Sequence, residues 1–211
     1  MLRSHNIFAS LFQVSLSKCM TRALIICPFI LILISCASAP PAPPNYELTY
    51  QHLPRLQISA GSIVLKSTYQ PDWAENHIDT IKPQNPTNIV KQWVNDRLEI
   101  QSGSSAKLVM TVIDGRVIKS QEIKQSTFGF LASKKQFFSA NLVVDVSFYP
   151  YGQEIDQGLR SALRVKIASD KAVSGAYSLN MLDEAYFLLI SDLAVEFDKQ
   201  MLGVLKKLKI I

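Results

Sequence analysis

A short apolar run near the start of the chain limits how this protein can be exported and attached. Residues 23–34 are twelve consecutive uncharged residues, and Arg22 stands directly before them. A helix that spans a bilayer needs about 20 apolar residues, whereas the hydrophobic region of a signal peptide has about 7–15. The run therefore predicts a cleaved signal peptide over residues 1–35. Translation from Met20 instead of Met1 would give a compact leader.

The apolar run ends in a four-residue motif, Leu33-Ile34-Ser35-Cys36. This motif resembles the lipobox of bacterial lipoproteins, in which an aliphatic residue, a tolerant position and a small residue precede a cysteine. The resemblance implies that a signal peptidase cuts after Ser35. It also implies that Cys36 carries diacylglycerol through a thioether and an acyl chain on its new amino group. Ile34 is bulkier than the pattern favours, and the alternative is a Cys36 buried in an uncleaved anchor helix.

Residues 36–54 are predicted to be the lipidated cysteine and a tether. Prolines fill four of the five positions from 40 to 44, and this density favours the stiff polyproline II conformation. In lipoproteins of the enteric type, aspartate directly after the cysteine means retention in the inner membrane. Ala37 at this place therefore implies an outer-membrane lipoprotein whose domain faces the periplasm.

The charge of the chain argues against a nucleic-acid partner. Three of the 22 basic residues lie in the leader, so residues 36–211 hold 19 bases against 17 acids. The dense basic cluster at the C-terminus, Lys206, Lys207 and Lys209, suits the negative end of a helix dipole. With 48% hydrophobic residues, the chain is apolar enough to bury a core.

Cysteine chemistry is restricted by the predicted cleavage. Cys19 and Cys27 would leave with the leader, so that Cys36 would be the only cysteine of the mature protein. Because lipid would occupy that thiol, we expect no intramolecular disulfide, no thiolate nucleophile and no cysteine-based metal site. A chain without a spare thiol suits an oxidising periplasm.

Residues 55–211 are predicted to form a single α+β domain. A strand over 55–68, with a bulge at Gly61, is followed by a helix that opens at Asn85 and Pro86. The later elements are strands over 106–119, 136–149 and 159–168, and a long helix over about 180–208 with a capping box of Asn180 and Asp183.

The strand over 136–149 has the clearest pattern. Apolar residues at even positions from Phe138 to Phe148 alternate with polar residues such as Ser139 and Asp145, which predicts one buried and one polar face. Strands with one polar face argue against helices on both sides of the sheet. We therefore expect a two-layer sandwich in the order β-α-β-β-β-α, a four-stranded sheet with two helices on one face and a right-handed first crossover.

The sequence predicts no catalytic site, no metal and no cofactor. It lacks a Gly-x-Ser-x-Gly motif, a phosphate loop and a His-Glu-x-x-His motif. His77 has three acids nearby in the sequence, Asp72, Glu75 and Asp79, but their position in a proline-flanked loop favours a loop role over a metal site. Asp96 and Glu99 are predicted to share one solvated face of the first helix.

Two segments are candidates for contact with a partner. The loop over 69–86 is longer than most loops without structure of their own, and it holds Tyr69 and Trp73. These two aromatic residues either cover one end of the core or face a partner. The second segment, 126–133, places Phe128, Phe130 and Leu131 around Gly129 between two strands. They either close the edge of the core or form an exposed apolar tip.

The layout of lipobox, proline tether and α+β domain resembles the small envelope lipoproteins that serve transport machines. These include the lipopolysaccharide-assembly lipoprotein and the auxiliary lipoproteins of ABC-type transporters. It also resembles alphaproteobacterial lipoproteins with a Tyr-Gln-x-Pro segment, here Tyr69-Gln70-Pro71-Asp72, and a Pro-x-x-Pro before a helix with tryptophan, here Pro83 to Pro86 and Trp93.

This resemblance implies a non-catalytic accessory or binding module, held on the membrane by its lipid and serving an envelope protein partner. It transfers only Cys36 as a functional residue. The alternative is an envelope hydrolase with an unrecognised site. A cleft lined by His77 and its acids would favour the hydrolase, whereas a filled core and an exposed apolar edge would favour the module.

Overall fold

A computed structural model describes residues 47–74, 76–124, 133–151 and 161–211. Within these residues the chain forms seven strands and two helices. In chain order they are β1 (Leu56–Ile58), β2 (Ser62–Ser67), α1 (Pro86–Arg97), β3 (Leu98–Ile100), β4 (Lys107–Asp114), β5 (Val117–Lys124), β6 (Ser133–Tyr149), β7 (Ser161–Ser174) and α2 (Leu179–Lys207). The α+β class predicted from the sequence is confirmed.

The main sheet is built around the long strand β6. β7 runs antiparallel along one side of it, while β4 and β5 follow one another along the other side. β2 then pairs in parallel with β4 and completes the sheet. The sheet therefore has five strands and is four strands wide at the level of β4.

The predicted count of four strands is wrong because two predicted strands are interrupted. The predicted strand over 106–119 extends to Lys124 and is divided into β4 and β5, since the register with β6 shifts after Val112 and the chain turns at Gly115 and Arg116. At Gly115 a side chain would lie 2.6 Å from the Thr87 hydroxyl, so the turn needs the small residue.

Gly61 also separates two strands and is not a bulge within one. A Cβ atom at this position would lie 1.8 Å from the carbonyl oxygen of Ser104, so that only glycine allows this approach. On one side of Gly61, β1 pairs in parallel with β3 in a small separate sheet. On the other side, β2 joins the main sheet. β3 was not predicted, because its three residues follow directly on the end of α1.

Both helices pack on one face of the main sheet, as predicted. The even-numbered residues of β6 from Phe138 to Val146 are buried, and so are Val165 and Ile167 of β7. They form one core with the helices; its largest fully buried side chains include Trp93, Leu108, Met110, Leu142, Leu189, Leu193, Phe197 and Met201. The other face of the strands carries Asp145, Arg164 and Lys166.

The first residue of each helix is determined by an N-cap side chain. Asn85 accepts a hydrogen bond from the Asn88 amide at 2.9 Å, and Pro86 occupies the first turn, as predicted for α1. The predicted capping box of α2 is wrong, because Ser178 is the cap and accepts from the Met181 amide. Among the described residues, no helix is both long and apolar enough to cross a bilayer.

A buried polar cluster joins the two helices. Asp198 of α2 accepts hydrogen bonds from the Trp93 indole at 2.7 Å and from Arg97 Nε at 2.8 Å. Beside them, the Tyr50 hydroxyl donates to the carbonyl of Ala194 at 3.3 Å. Burial, and then the charge of Asp198, raise the pKa of Tyr50. The cluster fixes one side of α2 against α1.

Candidate functional site

The loop between β2 and α1 is held on the main sheet by a buried carboxylate. Asp79 is only 4% exposed. Its two oxygens accept hydrogen bonds from the Tyr69 hydroxyl at 2.9 Å and from the Val117 amide at 3.2 Å, and its carbonyl accepts from the Asn85 side chain at 3.1 Å. Asp79 therefore connects the start of the loop, the start of β5 and the cap of α1 through its hydrogen bonds.

The structure separates the two aromatic residues that the sequence singled out in this loop. Tyr69 is partly buried against the core, and burial followed by the hydrogen bond to Asp79 raises the pKa of its hydroxyl. It therefore stays a neutral donor that holds the loop. Trp73 is 83% exposed, so its indole ring is accessible for contact with another molecule.

His77 lies between two of the acids named in the sequence but binds neither closely. Its Nε2 is 3.9 Å from Asp72 Oδ2, and its Nδ1 is 3.8 Å from Asp79 Oδ1, both longer than a hydrogen bond. Glu75, the third acid, lies outside the described residues. In the described part of the chain, no group of three or more potential ligands is arranged to hold a metal ion.

A groove of about 680 Å³ lies between this loop and the outer face of the sheet. Arg116, Arg164 and Lys166 line it, together with Asp72, Asp114 and His77. Arg164 donates two hydrogen bonds to Asp145, at 2.5 and 2.7 Å, and these lower the pKa of that carboxyl group. The groove is thus a charged surface of mixed sign.

A second groove of about 510 Å³ lies between residues 47–51 and α1. Its wall is rich in amide side chains, but several of these already form hydrogen bonds that stabilise the fold. Asn88 donates to the carbonyl of Pro83 at 2.6 Å, and Gln92 donates to Asp96 at 2.9 Å.

The predicted acidic pair on the first helix does not form. Asp96 accepts a hydrogen bond from the backbone amide of Tyr50 at 2.9 Å, so it serves the fold and not a solvated face. Glu99 lies in β3, beyond the end of the helix. The pair was mispredicted because α1 ends at Arg97, before Glu99 is reached.

Four of the predicted contact or modification residues, Cys36, Phe128, Phe130 and Leu131, lie outside the described residues. The strands on either side of residues 125–132 are β5 and β6. Near this connection, Ile123 and Leu179 are exposed, and a hydrogen bond of 3.0 Å from Gln121 to the Tyr177 hydroxyl brings their two segments together. The described surface beside the predicted tip is therefore apolar in part.

Comparison with known proteins gives distant likenesses only. No family model matches the chain, and no curated protein matches it. Among solved structures, rare lipoprotein B from Shewanella oneidensis is 13% identical with a TM-score of 0.36, over 70% of this chain and 98% of that chain. A minor lipoprotein from Acinetobacter baumannii is 14% identical with a TM-score of 0.34, over 67% of this chain and 91% of that chain. These likenesses are too distant to assign a family or a function.

Proposed function

We propose that this protein is a lipid-anchored, non-catalytic binding module of the bacterial cell envelope. The observation that carries the proposal is the motif Leu33-Ile34-Ser35-Cys36, which stands at the end of an apolar run too short to span a bilayer comfortably. Two or three acyl chains on Cys36 would hold the protein on the membrane almost permanently, since each buried methylene contributes about 0.8 kcal/mol.

The interior of the domain supports a binding role over a catalytic one. The buried carboxylate Asp79 is used to hold a loop, and Asp198 is used to join the helices. His77 is more than hydrogen-bond distance from the acids beside it. His77 and Asp72 do line the groove beside the loop, as the alternative hydrolase would require, and the buried Nδ1 of His77 has no hydrogen-bond partner among the described residues. The support for a binding role is that Asp79 and Asp198 are used in structural contacts and that neither acid beside His77 is close enough to orient it as a general base.

The partner in this proposal is another envelope protein. Trp73 on the described surface, and Phe128, Phe130 and Leu131 in the connection between β5 and β6, are the side chains we propose for that contact. Ala37 after the lipidated cysteine favours the outer membrane, with the domain in the periplasm.

The anchor is tested by expressing the full chain in a bacterium and measuring the intact mass of the product. We expect the wild-type protein to begin at Cys36 and to carry a diacylglyceryl group and an N-acyl chain. Replacing Cys36→Ala should leave residues 1–35 attached and the protein without lipid. The matched control is Cys27→Ala, in the middle of the apolar run, which should be processed like the wild type.

The proposal fails if the wild-type protein keeps its leader and carries no lipid. Separation of inner and outer membranes on a density gradient provides the second readout, and there we expect the processed protein in the outer-membrane fraction.

A further inference from the structure

The outer edge of the main sheet is a long and regular strand. β7 pairs with β6 without a break from Phe148↔Ser161 to Lys135↔Ser174, so that fourteen residues are in register. Residues 161–174 contain neither proline nor glycine. Within the described part of the chain, no strand pairs with the other edge of β7. Such an edge presents a row of backbone donors and acceptors that can pair with a further strand.

The helix α2 packs mainly on β7, and Asp192 forms an ion pair of 2.6 Å with Lys171 of that strand. The exposed apolar residues of α2 do not face the edge. Met181, Leu188 and Val195 are 44%, 45% and 68% exposed and lie about half a turn around the helix from the residues that form the core, so they point away from the sheet. The surface available for pairing is therefore the edge of β7 itself.

The charges on the outer face of β7 complement one another. Lys166 and Asp170 are both exposed, four residues apart, and point to the same face of the strand. Among the described residues, neither forms an ion pair. If a second β7 lies antiparallel to the first about a two-fold axis at Ala168, each Lys166 stands opposite Asp170 of the other copy. Opposite charges at such positions stabilise a strand pair.

We propose that the β7 edge binds a second copy of this chain. The two β7 strands pair about Ala168, which joins the two sheets into one, and the two α2 helices lie side by side on the same face. Paired strands are about 4.8 Å apart, whereas the axes of packed helices are about 8–10 Å apart. The two α2 helices therefore reach contact distance if each axis lies slightly on the β6 side of its own β7 strand. The pairing is self-complementary, as a two-fold interface requires.

A charge exchange tests this pairing. The full chain is extracted in detergent, and its protein mass is measured by sedimentation velocity over a range of concentrations. Lys166→Glu replaces two opposite-charge pairs by two like-charge pairs, so dimerisation should weaken about tenfold or more. The double variant Lys166→Glu, Asp170→Lys restores both pairs with their signs exchanged, and it should dimerise like the wild type.

Two outcomes would overturn the proposal. They are a wild-type protein that is monomeric at every concentration and a double charge variant that does not recover. Protection of the β7 amides in a monomer would show instead that another segment of the same chain covers the edge.

Discussion

The two long sides of α2 are held by different kinds of contact. The side toward α1 is closed by a polar cluster, in which Asp198 binds Trp93 and Arg97 at 2.7 and 2.8 Å and the Trp93 ring meets Phe197 edge-on at 5.5 Å. The side toward β7 has one partly exposed ion pair, Asp192 with Lys171. One side of the helix is thus held by buried polar contacts and the other by an exposed one.

The difference shows what each side of the helix does. Removing a buried polar partner leaves an uncompensated group inside the protein, so the flank toward α1 must be satisfied for the domain to fold. A partly exposed ion pair contributes little to stability, but the edge of β7 beside it pairs with no strand of the described residues and can accept one from another molecule. We therefore expect the side toward α1 to determine stability and the edge of β7 to determine association.

The largest loss of stability should come from a substitution in the core beneath α2. Leu142 is fully buried on the inner face of β6, opposite Ile167 of β7. Leu142→Asp puts an unpaired carboxylate into the core at a cost of several kcal/mol, which is comparable to the stability of a whole domain. We expect the protein to be unfolded or to lose most of its free energy of unfolding in urea titration.

The matched control is the neighbouring residue on the other face. Asn141 points outward, so Asn141→Asp should change the free energy of unfolding by no more than about 0.5 kcal/mol. Similar damage from both substitutions would contradict the register assigned to β6.

A smaller loss of stability should distinguish the side of α2 toward α1 from the side toward β7. Asp198→Ala leaves the guanidinium of Arg97 buried without its carboxylate, and this should cost about 3–5 kcal/mol. Asp192→Ala removes a partly exposed pair on the other flank and should cost at most about 1 kcal/mol. Urea titration of both variants measures the difference. If the two losses were equal, the polar cluster would have no special role in fixing α2.

The parts of the fold that the sequence predicted are those specified by near neighbours. The alternation along β6 determines its buried face, and Asn85-Pro86 marks the start of α1 through a contact with Asn88, three residues away. Contacts of this kind are visible in the sequence because the interacting residues are only a few positions apart.

The parts that were mispredicted depend on distant contacts. Gly61 divides two strands because Ser104 approaches it, more than forty residues along the chain. Asp79 has the predicted loop role, but its burial was not predicted, because the Val117 amide and the Tyr69 hydroxyl that bind it come from other parts of the chain.

The most direct test of pairing through the β7 edge is disulfide formation in native membranes. The full chain with Ala168→Cys is expressed in a bacterium, and the membranes are oxidised. Facing residues of an antiparallel pair have Cα atoms about 4.5–5.5 Å apart, within the range that a disulfide spans. Val64→Cys, on the opposite edge strand β2, and the wild-type chain are the controls. We predict a covalent dimer for Ala168→Cys and none for the controls. No more dimer from Ala168→Cys than from the controls would contradict the pairing of two copies through β7.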